Sequence, residues 1–243
     1  MRHRAGGARP VAALNPPPRW CVCALLVLGG VACARAQVSG SVAVLSDYRY
    51  RGASLDGERP ALQLNLSWDT GSGAYAGIFA SNVRFDDAPH GALQGIAYAG
   101  YAGRLDSGWV LEAGAEYSAF TRHRARDYPE LYAGLIAGEF SARLSWSPHY
   151  FGQEAVAYGE VNATHPLDDD WRLLLHFGVL DVLGGHALRY GHEIVDARIG
   201  AAFDWKGGTL DAGWTDSSRE TPLYPFAHDD ARRALVFSYS RPF

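Results

Sequence analysis

The sequence predicts an all-β fold, a transmembrane antiparallel up-and-down β-barrel of about twelve strands, each roughly ten residues long. Three observations predict it. Residues 1–36 have the layout of an export leader, the rest alternates with period two and holds no second long apolar run, and the chain closes on an aromatic-rich strand ending in Phe243.

The leader holds five arginines, Arg2, Arg4, Arg9, Arg19 and Arg35, and no acid. The first four precede an apolar run from Trp20 to Cys33, and Ala34 and Ala36 frame a small-residue cleavage site before Gln37. That run is shorter than the roughly 20 apolar residues a membrane-spanning helix needs. Cleavage between Ala36 and Gln37 is therefore expected, leaving one barrel domain at 37–243. Lipidation of Cys33 is the competing reading, and Gly30 argues against it by standing where a lipoprotein signal wants a branched apolar residue.

Cys21, Cys23 and Cys33 all fall in the leader, so the mature chain has no disulfide and no cysteine metal framework. Of the 22 basic residues 17 remain after cleavage, against 26 acidic ones, a net charge of −9 that argues against a nucleic-acid partner.

The first strand reads Val38, Gly40, Val42, Val44, Tyr48 and Tyr50 against Ser39, Ser41, Asp47, Arg49 and Arg51, and is expected to run to Tyr50. Pro60 to Asp69 sets Leu62, Leu64, Leu66 and Trp68 against Gln63, Asn65 and Ser67. The glycine-rich turn Asp69 to Gly73 then returns the chain into Tyr75, Phe79, Val83 and Phe85 opposite Ala76, Ala80, Asn82 and Arg84. Further strands place Trp109, Leu111 and Tyr117 against Glu112 and Glu116, and Phe140, Leu144 and Trp146 against Arg143. Trp171, Leu175 and Phe177 oppose Arg172 and His176; Val195, Ile199 and Phe203 oppose Asp196, Arg198 and Asp204. Leu210 and Trp214 oppose Asp211, and Leu235, Phe237, Tyr239 and Phe243 oppose Ala234, Ser238 and Ser240. Three more strands, near Gln94 to Gly103, Glu130 to Gly138 and Ala155 to Asn162, are inferred because each hairpin needs a returning partner, although Ala and Gly blur their faces.

A closed barrel pairs its backbone between strands and can stand in hydrocarbon, with an apolar outside and a polar lumen. Tyr48, Tyr50, Trp68, Trp109, Trp146, Trp171 and Trp214 stand near strand ends, where an aromatic girdle belongs. The competing fold, a soluble sandwich or lipocalin-like barrel, would carry more Lys, Glu and Thr on its polar face. Short connections at Asp69 to Gly73, Gly103 to Gly108, Pro166 to Asp170 and Trp205 to Gly208 alternate with longer ones, which are expected outside the cell.

The segments S-D-Y-R-Y-R-G at Ser46 to Gly52, P-A-L-Q at Pro60 to Gln63, Y-A-G-x-x-A-S-N-V at Tyr75 to Val83 and Y-A-G-Y-A-G at Tyr98 to Gly103 resemble the TorF family of outer-membrane porins. The chain departs from that pattern at Arg84, where the family carries an acidic residue soon after S-N-V. The resemblance implies a bacterial outer-membrane barrel that passes small solutes, with outer-membrane lipid around it.

On this reading Asp47, Arg49, Arg51, Asn65, Arg84, Glu112, Glu116, Arg143, Arg172, Asp196, Arg198, Asp211 and Arg232 line the lumen. Two arrangements stay open for these charges: a transverse field that selects small solutes or ions, or a salt-bridged filling. No cofactor is expected and no enzyme. The alternative is an outer-membrane barrel that hydrolyses lipid or peptide, for which His123, His149 and His176 are the candidate groups, and no G-x-S-x-G accompanies them. His186, His192 and His228 lack metal-ligand spacing, and the long loops leave a receptor reading open. Phe237, Tyr239 and Phe243 resemble the carboxy-terminal mark read by the barrel-assembly machinery, interrupted by Arg241.

Overall fold

The computed structural model describes residues 37–85, 91–184, 193–218 and 232–243. The leader with Ala36, and the loop residues His186, His192 and His228, lie outside the described residues. The strands are β1 (Gln37–Leu45), β2 (Arg49–Tyr50), β3 (Ala53–Ser54), β4 (Ala61–Asp69), β5 (Ala74–Val83), β6 (Ala92–Arg104) and β7 (Val110–Phe120). They continue as β8 (Tyr128–Ala137), β9 (Phe140–Ser147), β10 (Val156–Pro166), β11 (Trp171–Val182), β12 (Glu193–Trp205), β13 (Gly208–Ser217) and β14 (Arg233–Pro242).

All of these except β2 and β3 form one closed antiparallel barrel of twelve strands, with β14 returning to β1. The seam runs from Ser41 opposite Pro242 to Leu45 opposite Ser238, and Phe243 adds a reciprocal pair of backbone hydrogen bonds with Gly40 at 3.0 and 3.3 Å. Closure removes the open sheet edges that forbid a flat sheet from hydrocarbon.

Period-two alternation sorts the side chains. Leu62, Leu93, Leu131, Phe140, Leu144, Phe177, Ile199, Leu235 and Phe237 are exposed on the outer wall. Trp68, Trp109, Trp146, Trp171 and Trp214 are exposed there too. The inner wall carries the charged groups and three cross-strand tyrosine–glycine pairs, Tyr98 with Gly77, Tyr75 with Gly100 and Tyr132 with Gly114. Each ring lies over the space where a Cβ would stand, so the glycines make room for inward tyrosines.

One rim carries the connections 70–73, 105–109, 138–139, 167–170 and 206–207 together with both barrel ends. Lys206 and Gly207 both have positive φ, 50° and 76°, the signature of a type I′ hairpin turn. The other rim carries 46–60, 121–127 and 148–155, and there β5, β11 and β13 end and β6, β12 and β14 begin.

Two expectations are corrected. The first strand ends at Leu45 rather than Tyr50, because the chain after it turns inward as a separate two-strand hairpin, β2–β3. Tyr48 and Tyr50 are 0% and 7% exposed, so they are interior residues and not part of an outer girdle. The faces of β5 are also the reverse of the sequence reading. Tyr75, Phe79, Val83 and Phe85 are buried inside, and Arg84 follows β5 in the register of the outward Ala80 and Asn82, so it does not line the lumen. The aromatic face turns inward, where Phe79 meets the Tyr48 ring of the loop, while Ala76, Ile78 and Ala80 make the outer face.

Candidate functional site

The interior is built from loop 46–60, which leaves the barrel wall after β1 and crosses the lumen. The Tyr48 hydroxyl donates to Gln94 of β6 at 3.0 Å, and its ring meets Phe79 of β5 edge-on at 6.1 Å. At the far tip Gly52, with φ of 82°, leaves only 2.8 and 3.0 Å between a Cβ position and the Cβ atoms of Asp196 on β12 and Ser217 on β13. Only glycine fits both the backbone and the wall at that point.

Beside it Arg51 reaches β8, where it donates to both carboxylate oxygens of Glu130, at 2.9 and 2.5 Å. Its guanidinium also lies 4.9, 5.2 and 4.3 Å from the ring centres of Tyr50, Tyr150 and Tyr158. A bidentate ion pair framed by aromatic faces is the geometry that suits arginine better than lysine. Glu130 stands directly opposite Glu116 on β7, so Arg51 supplies positive charge to a place where two buried carboxyl groups meet.

The hairpin is braced internally by two more carboxylates. Asp47 accepts from Arg49 Nε at 2.6 Å and from the Ser54 hydroxyl at 2.7 Å. Asp56 accepts from the Tyr48 backbone N–H at 3.1 Å, the Ser54 hydroxyl at 3.1 Å and the Arg59 N–H at 3.3 Å. Burial, and then the neighbouring Asp47 charge, push the Asp56 carboxyl up to about 6. Above the hairpin Phe85, Phe120, Tyr128, Tyr150 and Phe151 pack ring on ring, with centroids 4.7 to 6.4 Å apart in the contacting pairs. The long-loop half of the barrel is thus filled, and Asp47, Arg49 and Arg51 lie within the lumen on a stopper rather than on a strand of the barrel wall.

The half nearer the short turns is polar, buried on the β5–β8 side and more open on the β11–β13 side. Arg143 donates to Glu112 at 2.5 Å and stacks on Tyr132 at 4.6 Å, while the Tyr75 hydroxyl bridges Glu112 at 3.3 Å and Tyr132 at 2.8 Å. His176 bonds Asn162 and Asp196, both at 2.7 Å, and Tyr158 at 3.2 Å. Arg198 pairs with Asp211, and Arg172 holds Asp204 in a fork at 2.6 and 2.8 Å. Along β12 the charged side chains open progressively toward the short-turn rim, from 4% exposed at Asp196 to 27% at Arg198 and 41% at Asp204. Asn65 of β4 and Glu116 also face inward, each with one buried oxygen lacking a protein partner.

Arg232 is placed differently from the sequence reading. It is exposed at the long-loop mouth and donates to the Ser218 carbonyl at 3.2 Å, outside the network. Sequence reasoning passed over Glu130, Glu160, Tyr132 and Tyr158. The alternation Tyr128, Glu130, Tyr132 was the available signal on β8, obscured by the Ala–Gly run that follows it. Among the described residues no group of three or more His, Cys, Asp or Glu is disposed to hold a metal, and the hydrogen bonds of His176 go to Asn162, Asp196 and Tyr158 rather than to a serine, threonine or cysteine.

A family model described as a bacterial protein of unknown function (Gcw_chp) matches residues 31–243. The chain belongs to that family. No curated protein sequence matches this Gcw_chp member. Among solved structures, the NanC porin is similar at 9% identity and a TM-score of 0.53, over 84% of this chain and 98% of that one. The KdgM porin is similar at 10% identity and a TM-score of 0.51, again over 84% and 98%. KdgM in complex with disordered oligogalacturonate gives 9% and 0.51, over 86% and 98%. At these identities the likeness is one of fold: a closed twelve-strand barrel of the outer-membrane porin type.

Proposed function

We propose that this Gcw_chp barrel is a bacterial outer-membrane channel for passive passage of small polar solutes or ions, with loop 46–60 as its gate. The observation that carries this reading is the exposure gradient along β12. On the β11–β13 side the inward Arg172, Arg198 and Asp204 are reached by solvent toward the short-turn rim, whereas Tyr75 and Glu112 on the β5–β7 side stay buried and loop 46–60 closes the other end. Twelve strands also fall between the roughly 8 whose interior side chains fill and the 16 that leave a wide channel.

The resemblance of Ser46 to Val83 to TorF-family porins supports the reading, as does the likeness of fold to two porins, one of them solved in complex with disordered oligogalacturonate. Paired arginines and acids, Arg143 with Glu112 and Arg198 with Asp211, suit polar or zwitterionic solutes better than one sign of ion. In this arrangement residues 1–36 direct export and are removed before Gln37. The short turns face the periplasm, and the outward tryptophans lie at the lipid boundary. Phe237, Tyr239 and Phe243, on the strand that closes the barrel, present the mark for the assembly machinery. Chemistry on a substrate is not part of this reading.

Liposome swelling tests it. Leu45 and Ala61 are cross-strand partners, so residues 48–59 can be replaced by a short glycine–serine turn without moving the wall. The expected result is slow entry of small sugars and amino acids through the intact protein and much faster entry through the shortened one. Equal, negligible swelling by both would contradict a channel.

A further inference from the structure

We propose that Glu160 and Arg198 form a docking site for a linear zwitterion, an ω-amino acid or short peptide whose ammonium meets Glu160 and whose carboxylate meets Arg198. The inference rests on the channel reading above and names the class of solute. Its carrier is an inward carboxylate left without an arginine on the part of the wall that solvent reaches.

The inner wall matches its arginines to acids. Arg51 is committed to Glu130, Arg143 to Glu112, Arg198 to Asp211 and Arg172 to Asp204. Glu160 of β10 is left over. Arg143 stands directly opposite it on β9 but turns to Glu112, so among the described residues the one ion-pair partner of Glu160 is His176 Nδ1, at 3.7 Å. That imidazole is itself shared, bonding Asn162 through Nδ1 and Asp196 through Nε2, each at 2.7 Å. A single imidazole facing the carboxylates of Glu160 and Asp196 leaves one negative charge in excess even when it is protonated. Asp196 is buried, whereas the Glu160 side chain is 25% exposed, so the excess is presented to the lumen at Glu160. An ammonium group arriving there supplies the missing charge and donors for the carboxylate.

Arg198 supplies the other end. It stands directly opposite His176 on β12, and its guanidinium lies over Gly200 and Gly213, a facing pair of inward glycines where a Cβ would crowd it. The bare backbone lets the group lie against the wall. Its bonded partner is Asp211, which leaves the remaining donors of a partly exposed fork for a second carboxylate. Glu160 and Arg198 are separated by β11, roughly 10 Å along the wall at the usual strand spacing. A solute that meets both carries its opposite charges several bonds apart, which an ammonium and a carboxylate on one carbon do not.

The test measures uptake of 6-aminohexanoate at neutral pH into liposomes carrying the full mature protein, beside 6-hydroxyhexanamide, a neutral solute of the same length. Heat-modifiable migration confirms a folded barrel in every variant. The zwitterion should enter about tenfold faster, the size of effect one charge-assisted hydrogen bond supplies. Glu160→Gln should bring the two rates together. The same change should slow 6-aminohexanamide, which keeps only the ammonium, and leave 6-hydroxyhexanoate, which keeps only the carboxylate, as it was. Arg198→Gln combined with Asp211→Asn should do the converse, and Glu139→Gln at the short-turn rim should change neither. A preference unchanged in Glu160→Gln overturns the proposal, as does equal entry of zwitterion and neutral solute through the wild type. If neither solute enters through the intact protein or through the one shortened at 48–59, the channel reading falls and the proposal with it.

Discussion

At the scale of single residues, the stopper depends on Arg51. Its side chain answers the buried Glu130 directly and lies against three tyrosine rings, so removing it leaves a carboxylate facing Glu116 without its cation. Breaking one side of a buried ion pair costs about 3 kcal/mol, which corresponds to roughly a hundredfold in the ratio of closed to open forms. Arg51→Ala should therefore speed amide exchange at Tyr48 and Leu55, whose N–H groups donate to Asp56 and to the Tyr48 carbonyl within the loop, by up to that factor. Arg51→Lys should fall between. Exchange indistinguishable from wild type would mean the aromatic packing alone holds the loop. The sequence exposed part of this. Odd-numbered Asp47, Arg49 and Arg51 are legible as interior charges, but their partners are not, because Glu130 is 79 residues away and pairing across a barrel leaves no local signature.

At the scale of elements, loop 46–60 explains where pattern reading failed. Alternation persists through β2, so Tyr48 and Tyr50 continue the period of β1 even though the chain has left the wall. Periodicity reports which residues share a face, not which solvent that face meets. The same ambiguity reversed β5, where an aromatic face suits lipid or a packed stopper equally well. The loop should also sense pH through Asp56. Its carboxyl lies near 4 when exposed and is pushed up to about 6 by burial and by Asp47. A raised carboxyl favours the closed loop fully below the exposed value, and that support is lost as pH rises through about 6. Closed-state dwell times should lengthen between pH 7 and pH 4.5 in single-channel records, and Asp56→Asn should flatten the dependence. A channel that closes as pH rises would contradict the assignment.

At the scale of the whole molecule, the twelve-strand barrel was the most legible feature, because strand closure needs only alternation, turns and a returning partner for each strand. The weak strands at β6, β8 and β10 were recoverable from topology although their Ala and Gly faces were not. Which wall meets lipid follows from the exposed apolar set and gives its own prediction. Leu144 lies mid-strand on the outer face of β9, so Leu144→Arg should cost about 2–4 kcal/mol in refolding titrations into bilayers. The inward neighbour change Ser141→Arg should cost clearly less, and equal costs would point to a soluble barrel. That loop 46–60 gates a lumen is tested most directly by planar-bilayer conductance of the intact protein beside the variant in which a short glycine–serine turn replaces residues 48–59 between the paired Leu45 and Ala61. The intact protein should be nearly silent and the shortened one should conduct steadily; an identical conductance in the two would contradict the gate.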